Sequence, residues 1–327
     1  MTWLITGGAG YIGSHVVKAM VDGGEQVVVV DDLSTGDPQR LPAGVHLEKG
    51  SVLDAELLDR VLRDHSVRGI VHIAAKKQVG ESVERPLHYY RENVQGLQTV
   101  LEAAVRAGVT SFLFSSSAAV YGMPDVDLVT EETPCAPMSP YGETKLVGEW
   151  MVRATGAAHG IATACLRYFN VAGAATPELG DAGIFNLVPM VFERLSQGKP
   201  PLIFGDDYET PDGTCVRDFI HVEDIASAHV AAARRLAEDP TAALVLNIGR
   251  GEGVSVAEMV GIIGSVTGRT DATAQVIERR PGDPARVVAS ASRIEEELGW
   301  TARHEVREMV ASAWAGWCLR HPEQPRH

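Results

Sequence analysis

The sequence predicts an α/β protein, a doubly wound parallel sheet followed by a smaller α/β lobe. Three observations carry that prediction. Apolar runs of strand length alternate with amphipathic runs of helix length through the first half of the chain. The first strand passes into its helix through a glycine-rich turn, Gly7-Gly-Ala-Gly10-Tyr-Ile-Gly13. Chemistry-bearing residues then recur just past the carboxyl ends of the apolar runs, where a parallel sheet takes its ligands.

The elements follow in order. Trp3–Thr6 is a short apolar strand, and an amphipathic helix runs on through Met20. Strand, glycine turn and helix together make a dinucleotide site: Gly7 and Gly10 let backbone approach a pyrophosphate on the helix N-terminus, and Gly13 lets helix pack on strand. Gln26–Val30 is a buried parallel strand ending in Asp31-Asp32. An acid about twenty residues past the glycines bonds adenosine ribose hydroxyls and repels a 2′-phosphate, which favours NAD over NADP. Strands over Val45–Lys49, Gly69–Ala74, Ser111–Ser115 and Ala162–Arg167 alternate with helices over Asp54–Leu62 and Thr99–Ala107. Site positions gather at the strand ends: Ala74 to Lys77, Ser115 to Ser117, and Tyr168 to Asn170. Past about residue 170 the pattern loosens, and glycine, proline and acids cluster at Gly173–Gly183 and Gly205–Gly213 as loops over a binding face would. Val216–His221 resumes a strand, with a helix from Val222 to about Arg235, and Ser255-Val-Ala-Glu258 is a capping box opening a helix towards Thr267. The organisation read from this is a Rossmann-type domain at 1–170, with a returning segment at 216–236, and a substrate-binding lobe at 171–327.

Composition bounds the function. The 327 residues, 45% hydrophobic and 22% charged, suffice for a sizeable globular core. A net charge of −14 argues against nucleic acid or an anionic membrane as partner; an anionic small substrate needs a local basic pocket. Cys135, Cys165, Cys215 and Cys318 are scattered, with no Cys-x-x-Cys, so neither a metal site nor a disulfide framework is expected. No apolar run approaches a membrane span, and strand-like residues begin at Trp3, so no signal peptide is expected and the default location is cytoplasmic.

The chemistry centres on Ser139-Pro-Tyr-Gly-Glu-Thr-Lys145. Ser139 and Pro140 are a cap and first residue for a helix that sets Tyr141 and Lys145 on one face, one turn apart. A free phenol has a pKa of about 10, so poising it near 7 needs roughly 4 kcal/mol. One cation about 5 Å away, at an effective dielectric of about 20, supplies roughly 3 kcal/mol. Lys145 alone falls short, and the positive ring of an oxidised nicotinamide would complete the shift.

With these residues in view, the chain resembles the extended short-chain dehydrogenase/reductases, and within them the UDP-glucose 4-epimerases. Motifs carrying the resemblance include Thr6-Gly-Gly-Ala-Gly-Tyr-Ile-Gly-Ser-His15, Val79-Gly-Glu-Ser-Val83, Ser115-Ser-Ser-Ala-Ala-Val-Tyr-Gly122, Leu166-Arg-Tyr-Phe-Asn170, Gly205-Asp-Asp-Tyr208 and Asp212-Gly-Thr-Cys-Val-Arg-Asp-Phe-Ile-His221. The resemblance implies an isomerase using tightly held NAD. Tyr141 exchanges the proton of the sugar 4-hydroxyl while hydride leaves and returns at carbon 4, and the 4-keto sugar turns over between the two steps. Lys145 assists Tyr141 and bonds the nicotinamide ribose, and Ser117 bonds the 4-oxygen. Cofactor contacts implied are Gly7, Gly10, Tyr11, Ile12, Gly13, Asp31, Asp32, Ser51, Val52, Ala74, Ala75, Lys77, Asn93, Ser115, Tyr141, Lys145, Tyr168 and Phe169. The UDP-sugar falls to Ser117, Tyr141, Asn170, Asn186, Leu187, Phe204, Arg217, Arg280 and Asp283, the arginines suiting a pyrophosphate. His221 reads as structural, Arg167 as serving buried carbonyls, and Trp314 and Trp317 as core. A homodimer through helices near Tyr89–Ala107 and Tyr141–Ala158 is also implied.

The chain departs from the family pattern in places. Ser51 stands where an acid usually contacts adenine, and Ala119 where a hydroxyl is common. Ala118-Ala119 also lack the acid/base pair of the related 4,6-dehydratases and the glutamate of the decarboxylases. Val287 takes a position held by a large residue in some members, which leaves 4-epimerisation of another UDP-sugar, such as UDP-N-acetylglucosamine or UDP-glucuronate, as the alternative.

Overall fold

A computed structural model describes residues 1–270, 273–280 and 282–322. Six strands of the first half are β1 (Thr2–Thr6), β2 (Gln26–Asp31), β3 (His46–Lys49), β4 (Gly69–His72), β5 (Ser111–Ser117) and β6 (Ala162–Tyr168). The second half adds β7 (Asn170–Ala172), β8 (Leu202–Phe204), β9 (Val216–His221), β10 (Ala243–Ile248), β11 (Gly253–Ser255), β12 (Gln275–Ile277) and β13 (Arg286–Val287). A seven-stranded sheet runs in the order β10-β6-β5-β4-β1-β2-β3, every pair parallel. Parallel strands need both faces covered, and strand residues alternate between two cores accordingly. Trp3, Ile5 and Val29 face one core with helices Tyr11–Asp22 and Val222–Glu238; Leu4, Val28 and Val30 face the other with helices Ala55–Asp64 and Gly96–Ala107. The expected doubly wound architecture is therefore present.

The smaller lobe holds a four-stranded sheet, β11-β9-β13 with β7 against β9, and the parallel pair β12-β8. Its core gathers Phe192, Met259, Met309 and Trp317, and Trp314 and Trp317 pack on Phe192 with ring centroids 5.0 and 5.8 Å apart. Residues Asp271, Ala272 and 323–327 of this expected lobe, and Pro281 of the Arg279–Asp283 loop, lie outside the described residues.

Two features differ from the sequence reading. The segment 216–236 was expected to return to the first domain, but its strand β9 stays in the smaller sheet, and helix Val222–Glu238 and β10 are what return. The wholly buried Asp218 side chain fastens β9 in the smaller sheet: it accepts from the backbone N–H groups of Arg250, Gly251 and Ala289 at 2.9, 3.0 and 3.2 Å. The run ALVLNI at Ala243–Ile248 is a strand that length and periodicity alone do not separate from a helix turn. The segment before Gly96 is not regular either: Tyr90–Gln95 is π-helical, which turns Asn93 inward to donate to Thr144 Oγ1 at 3.0 Å.

Helix Pro140–His159 forms as its start predicts, with Ser139 Oγ accepting from Gly142 N at 3.2 Å and Gly160, in the left-handed region at φ 67°, ending it. It lies close on β5 because Gly148 faces Phe114: a Cβ there would sit 2.5 Å from the ring. Gly148→Val should lower the unfolding free energy by about 1–3 kcal/mol through overpacking, read as a lower urea midpoint. An unchanged midpoint would mean that the helix can move off the sheet at no cost.

Candidate active site

Two adjoining openings meet at the carboxyl ends of the central strands. A groove is lined by the glycine turn, Asp31, Asp32, Ser51, Val52, Ala74, Ala75, Ser115 and Lys145. A cavity of about 820 Å³ is lined by Ser117, Phe169, Asn170, Asn186, Leu187, Phe204, Arg217, Arg280 and Asp283. Tyr11, Ile12, Lys77, Tyr141 and Tyr168 line both.

The glycine turn explains the groove. Gly7 has φ 72°, and a Cβ on it would lie 2.7 Å from Ala74 N; one on Gly13 would lie 2.0 Å from Gly7 O. Nothing larger than hydrogen fits, so the turn packs flat against the end of β4. The helix it opens has Gly10 as its N-cap, with no side-chain cap and no acid in the first turn. Its N-terminal N–H groups and dipole face the groove as an anion site. Asp31 accepts from Ala9 N at 3.0 Å and Leu33 N at 2.9 Å, so it braces the turn as well as lining the groove, and burial pushes its pKa up. Ser51 Oγ accepts from Leu53 N at 3.1 Å.

Of the expected cofactor contacts, Asn93 lies behind the groove wall and Phe169 lines only the cavity. Asn93 Oδ1 accepts from Lys76 N at 2.8 Å and its Nδ2 donates to Lys76 O at 2.9 Å, which fixes the segment after β4. Arg167 also differs from its reading. It forms a buried fork with Glu149, Nε–Oε1 2.9 Å and Nη2–Oε2 2.7 Å, and reaches the Glu131 carbonyl only at 3.4 Å. An unpaired carboxylate as deeply buried as Glu149 would be costly, and it claims the guanidinium. His221 caps helix Val222–Glu238, its Nδ1 accepting from Glu223 N at 3.0 Å.

Three tyrosines line both openings, and two are committed elsewhere. Tyr11 Oη donates to Gly173 O at 2.6 Å. Tyr168 Oη lies 2.7 Å from Ser115 Oγ and 2.6 Å from His229 Nε2. His229 Nδ1 is 2.9 Å from Ile225 O, so Nδ1 carries the proton, Nε2 accepts from Tyr168, and Ser115 donates to Tyr168. That chain holds Tyr168 protonated. Tyr141 has Ser117 as its side-chain partner; burial raises its pKa and the Ser117 hydroxyl partly offsets this. Lys145 stands beside Tyr141. The ammonium is 5.9 Å from the Tyr141 ring centroid and donates to Ser115 O at 2.7 Å, and burial pulls its own pKa to about 8, with Glu149 opposing. The same enclosure that disfavours phenolate disfavours ammonium.

The charge of the cavity runs against that of the protein. Lys77, Arg194, Arg217 and Arg280 line it with Asp283, which pairs with Arg217. Arg280 lies 3.8 Å over the Phe204 ring. Four cations against one carboxylate make the basic pocket that an anionic substrate of a −14 protein requires.

Comparison with known proteins agrees with this geometry. Residues 3–249 match the NAD dependent epimerase/dehydratase family. The chain belongs to that family. A UDP-glucose 4-epimerase of Azospirillum brasilense is 46% identical over 96% of this chain and 91% of its own length. A UDP-glucose-4-epimerase from Stenotrophomonas maltophila, solved with bound NAD and formylated UDP-arabinopyranose, superposes with a TM-score of 0.94 at 37% identity, covering 98% of this chain and 99% of that one. The Bifidobacterium longum UDP-glucose 4-epimerase, solved with NAD+ and UDP, gives 0.90 at 37% identity, over 99% of this chain and 100% of that one.

The groove fits the family's cofactor on the chain's own terms. The glycine turn admits close backbone approach, the helix N-terminus is uncapped, and Arg40, which lines the groove, has a buried Nη1 without a hydrogen-bond partner. Residues that the sequence reading did not single out include Arg40 in the groove and Arg194 and Cys215 in the cavity. Cys215 lies within a quoted motif; Arg194 sits on an ordinary amphipathic helix, where nothing in the sequence distinguishes it.

Four buried histidines ring this epimerase-family site with depressed pKa values, His15 and His229 at about 4 and His72 and His221 at about 3, burial being the main cause in each. In the unfolded chain they protonate near pH 6.5, so below that pH the unfolded state binds more protons. Their contribution to stability is complete above about pH 6.5 and lost as pH falls towards about 4. Asp218, raised to about 6 by burial, acts in the opposite sense, as do Asp31 and Asp224, which burial also raises. Urea midpoints should therefore fall steadily from about pH 7 to about pH 4.5; a midpoint that holds constant would contradict neutral burial.

Proposed function

We propose that the chain interconverts UDP-glucose and UDP-galactose by inverting carbon 4, within galactose metabolism. The observation that carries this reading is the position of Tyr141, which lines both the groove and the cavity beside Ser117, with Lys145 one turn on. NAD, when bound, supplies reversible hydride acceptance and, oxidised, the positive charge near Tyr141 that Lys145 alone does not provide. Tyr141 then takes the 4-hydroxyl proton and later gives it back, and Ser117 bonds the 4-oxygen at both stages. Arg217 and Arg280 grip the pyrophosphate while the 4-keto sugar turns over, and the roomy cavity allows that turn. Ala118 and Ala119 line the cavity without an ionisable group, which suits proton exchange at one oxygen and not elimination of a second hydroxyl. The relatives named above support the substrate class.

Val287 favours a second reading. It lines the cavity, paired in register with Arg217, and a small side chain there leaves room for an N-acetyl group. A homodimer is proposed through helix Pro140–His159, whose Trp150 is 58% exposed, together with the helix ending at Ala107. The thiols of Cys135, Cys165 and Cys215 suit a reducing, cytoplasmic setting.

Purified protein given UDP-galactose without added NAD should yield UDP-glucose, and Tyr141→Phe should cut kcat roughly 10²–10⁴-fold while the protein still carries NAD. Near-normal turnover by Tyr141→Phe would remove Tyr141 from its role. UDP-N-acetylgalactosamine should also turn over, and Val287→Tyr should suppress that activity far more than the activity on UDP-galactose. No turnover of the N-acetyl sugar by the unsubstituted protein would end the second reading.

A further inference from the structure

The groove has one wall that comes from the second lobe. Asp181, Ala182 and Gly183 line it together with the glycine turn, and they belong to the segment that leaves β7. That segment is fastened at its start to the helix the glycine turn opens: Tyr11 Oη donates to Gly173 O at 2.6 Å, and Ala175 N donates to His15 Nε2 at 3.0 Å. Further on, two arginines from opposite ends of the chain meet on one carbonyl. Arg40 Nη2 donates to Gly180 O at 2.7 Å; Arg320 Nη1 donates to the same oxygen at 3.1 Å and its Nη2 to Asp181 O at 2.6 Å.

Close packing supports those bonds. Arg320 ends helix Val306–Arg320, and the segment lies directly on that helix. A Cβ on Gly180 would fall 3.1 Å from Gly316 Cα, and one on Gly316 would fall 3.0 Å from Pro177 O. Backbone touches backbone here, so the Gly180 carbonyl has a fixed position for the two guanidinium groups to find.

The charges at this point are unbalanced. Two cations share a carbonyl, and the Asp181 carboxylate, which opposes the fall in the Arg320 pKa, is one countercharge against two. The Asp181 carboxylate is engaged with Gly183 N at 3.0 Å and Asn186 Nδ2 at 3.2 Å. Burial, and then Arg40, pull the Arg320 pKa down. The orphaned Nη1 of Arg40, in a residue lining the groove, is a donor suited to an anionic group lying there.

We propose that Arg40 and Arg320 form a clamp on the Gly180 carbonyl that holds the 173–183 segment against the groove and so sets how slowly the dinucleotide leaves. This rests on the reading of the groove as the NAD site. Arg320 is a positioning residue in this role: it lines neither opening and acts on the cofactor through the segment it holds, whereas Arg40 holds the segment and also lines the groove. The balance of charge works in the same direction, because a bound pyrophosphate offsets two cations that otherwise repel each other.

The test is the rate at which NAD leaves the purified, NAD-loaded protein, followed by gel filtration at successive times and without UDP-sugar. Arg320→Met removes two charge-assisted bonds and should release NAD roughly ten-fold faster or more. Arg320→Lys, which cannot fork across two carbonyls, should fall between the two. Hydrogen exchange in Arg320→Met should rise at amides 176–183 and stay unchanged in the seven-stranded sheet. Should Arg320→Met fail to fold, Arg40→Met severs the other arm and is held to the same rate comparison. Release at the unsubstituted rate from a variant that does carry NAD overturns the clamp and leaves the groove assignment standing. A protein that neither carries NAD nor takes it up when it is added overturns the assignment, and the clamp with it.

Discussion

The buried ammonium of Lys145 is the constraint on which the site depends. At 5% exposure it has lost most of its hydration, and what replaces the water is a carbonyl and two ring faces. Ser115 O accepts from it at 2.7 Å, and the Phe114 and Tyr141 ring centroids are 5.1 and 5.9 Å away. Those groups are within reach only because helix Pro140–His159 lies close on β5, and it does so only because Gly148 has no side chain to set against Phe114. The Ser139 cap and Pro140 then fix where the helix begins, and hence which residues stand one turn apart above the strand end. Cap, glycine, strand carbonyl and the Tyr141–Lys145 pair are one structural decision. The pKa of about 8 shows that the replacement is incomplete, so the cation stays responsive to whatever charge comes beside it.

A second layer keeps that floor in place. Glu149, one turn beyond Lys145 on the same helix, is buried in a fork with Arg167 of β6 and accepts from Ser116 of β5. Arg167 also donates to Tyr121 Oη at 2.7 Å, which donates to Asn247 Oδ1 of β10 at 2.7 Å. Such a pair adds little net stability, because desolvating both charges cancels most of their attraction, but removing either partner leaves a buried charge unpaired. Its effect is positional: one helix and three strands of the sheet are locked in register directly beneath the openings. Arg167 also donates to the Glu131 carbonyl at 3.4 Å, but its shorter bonds all go to this network.

How much of this was legible beforehand depended on how local the signal was. The glycine turn, the strand β2 ending at Asp31, and Ser139-Pro140 each declare themselves within a few residues, through backbone freedom, a buried valine run and a cap. Tyr141 and Lys145 needed only helical spacing. By contrast, β10 pairs with a strand some eighty residues earlier, and a short, mostly apolar run says nothing about that partner. β9 looked like part of the large sheet because its sequence reads as a strand; the donors that Asp218 requires, at Arg250, Gly251 and Ala289, are set by the tertiary fold. Arg40 and Arg320 are ordinary surface types in sequence, and only the fold brings them to one carbonyl. The resemblance named the ligands of the groove but could not show that Asn93 stands behind its wall.

Selection of the base comes down to which tyrosine has an unspent hydroxyl. Burial raises the pKa of Tyr11, Tyr141 and Tyr168 alike, so burial cannot choose among them. Hydrogen bonding does. Tyr11 donates to a carbonyl, and Tyr168 donates to a histidine whose tautomer is fixed by Ile225 O; either phenolate would forfeit a bond that holds the fold together. Tyr141 faces Ser117, a hydroxyl that can donate to a phenolate as readily as it accepts from a phenol. Ser117 Oγ in turn accepts from Ala119 N at 3.2 Å, which orients it without using its proton. A group proposed to take a proton and give it back within one turnover needs a partner indifferent to the exchange. A serine held by its lone pair, beside alanines that offer no competing acid or base, meets that requirement.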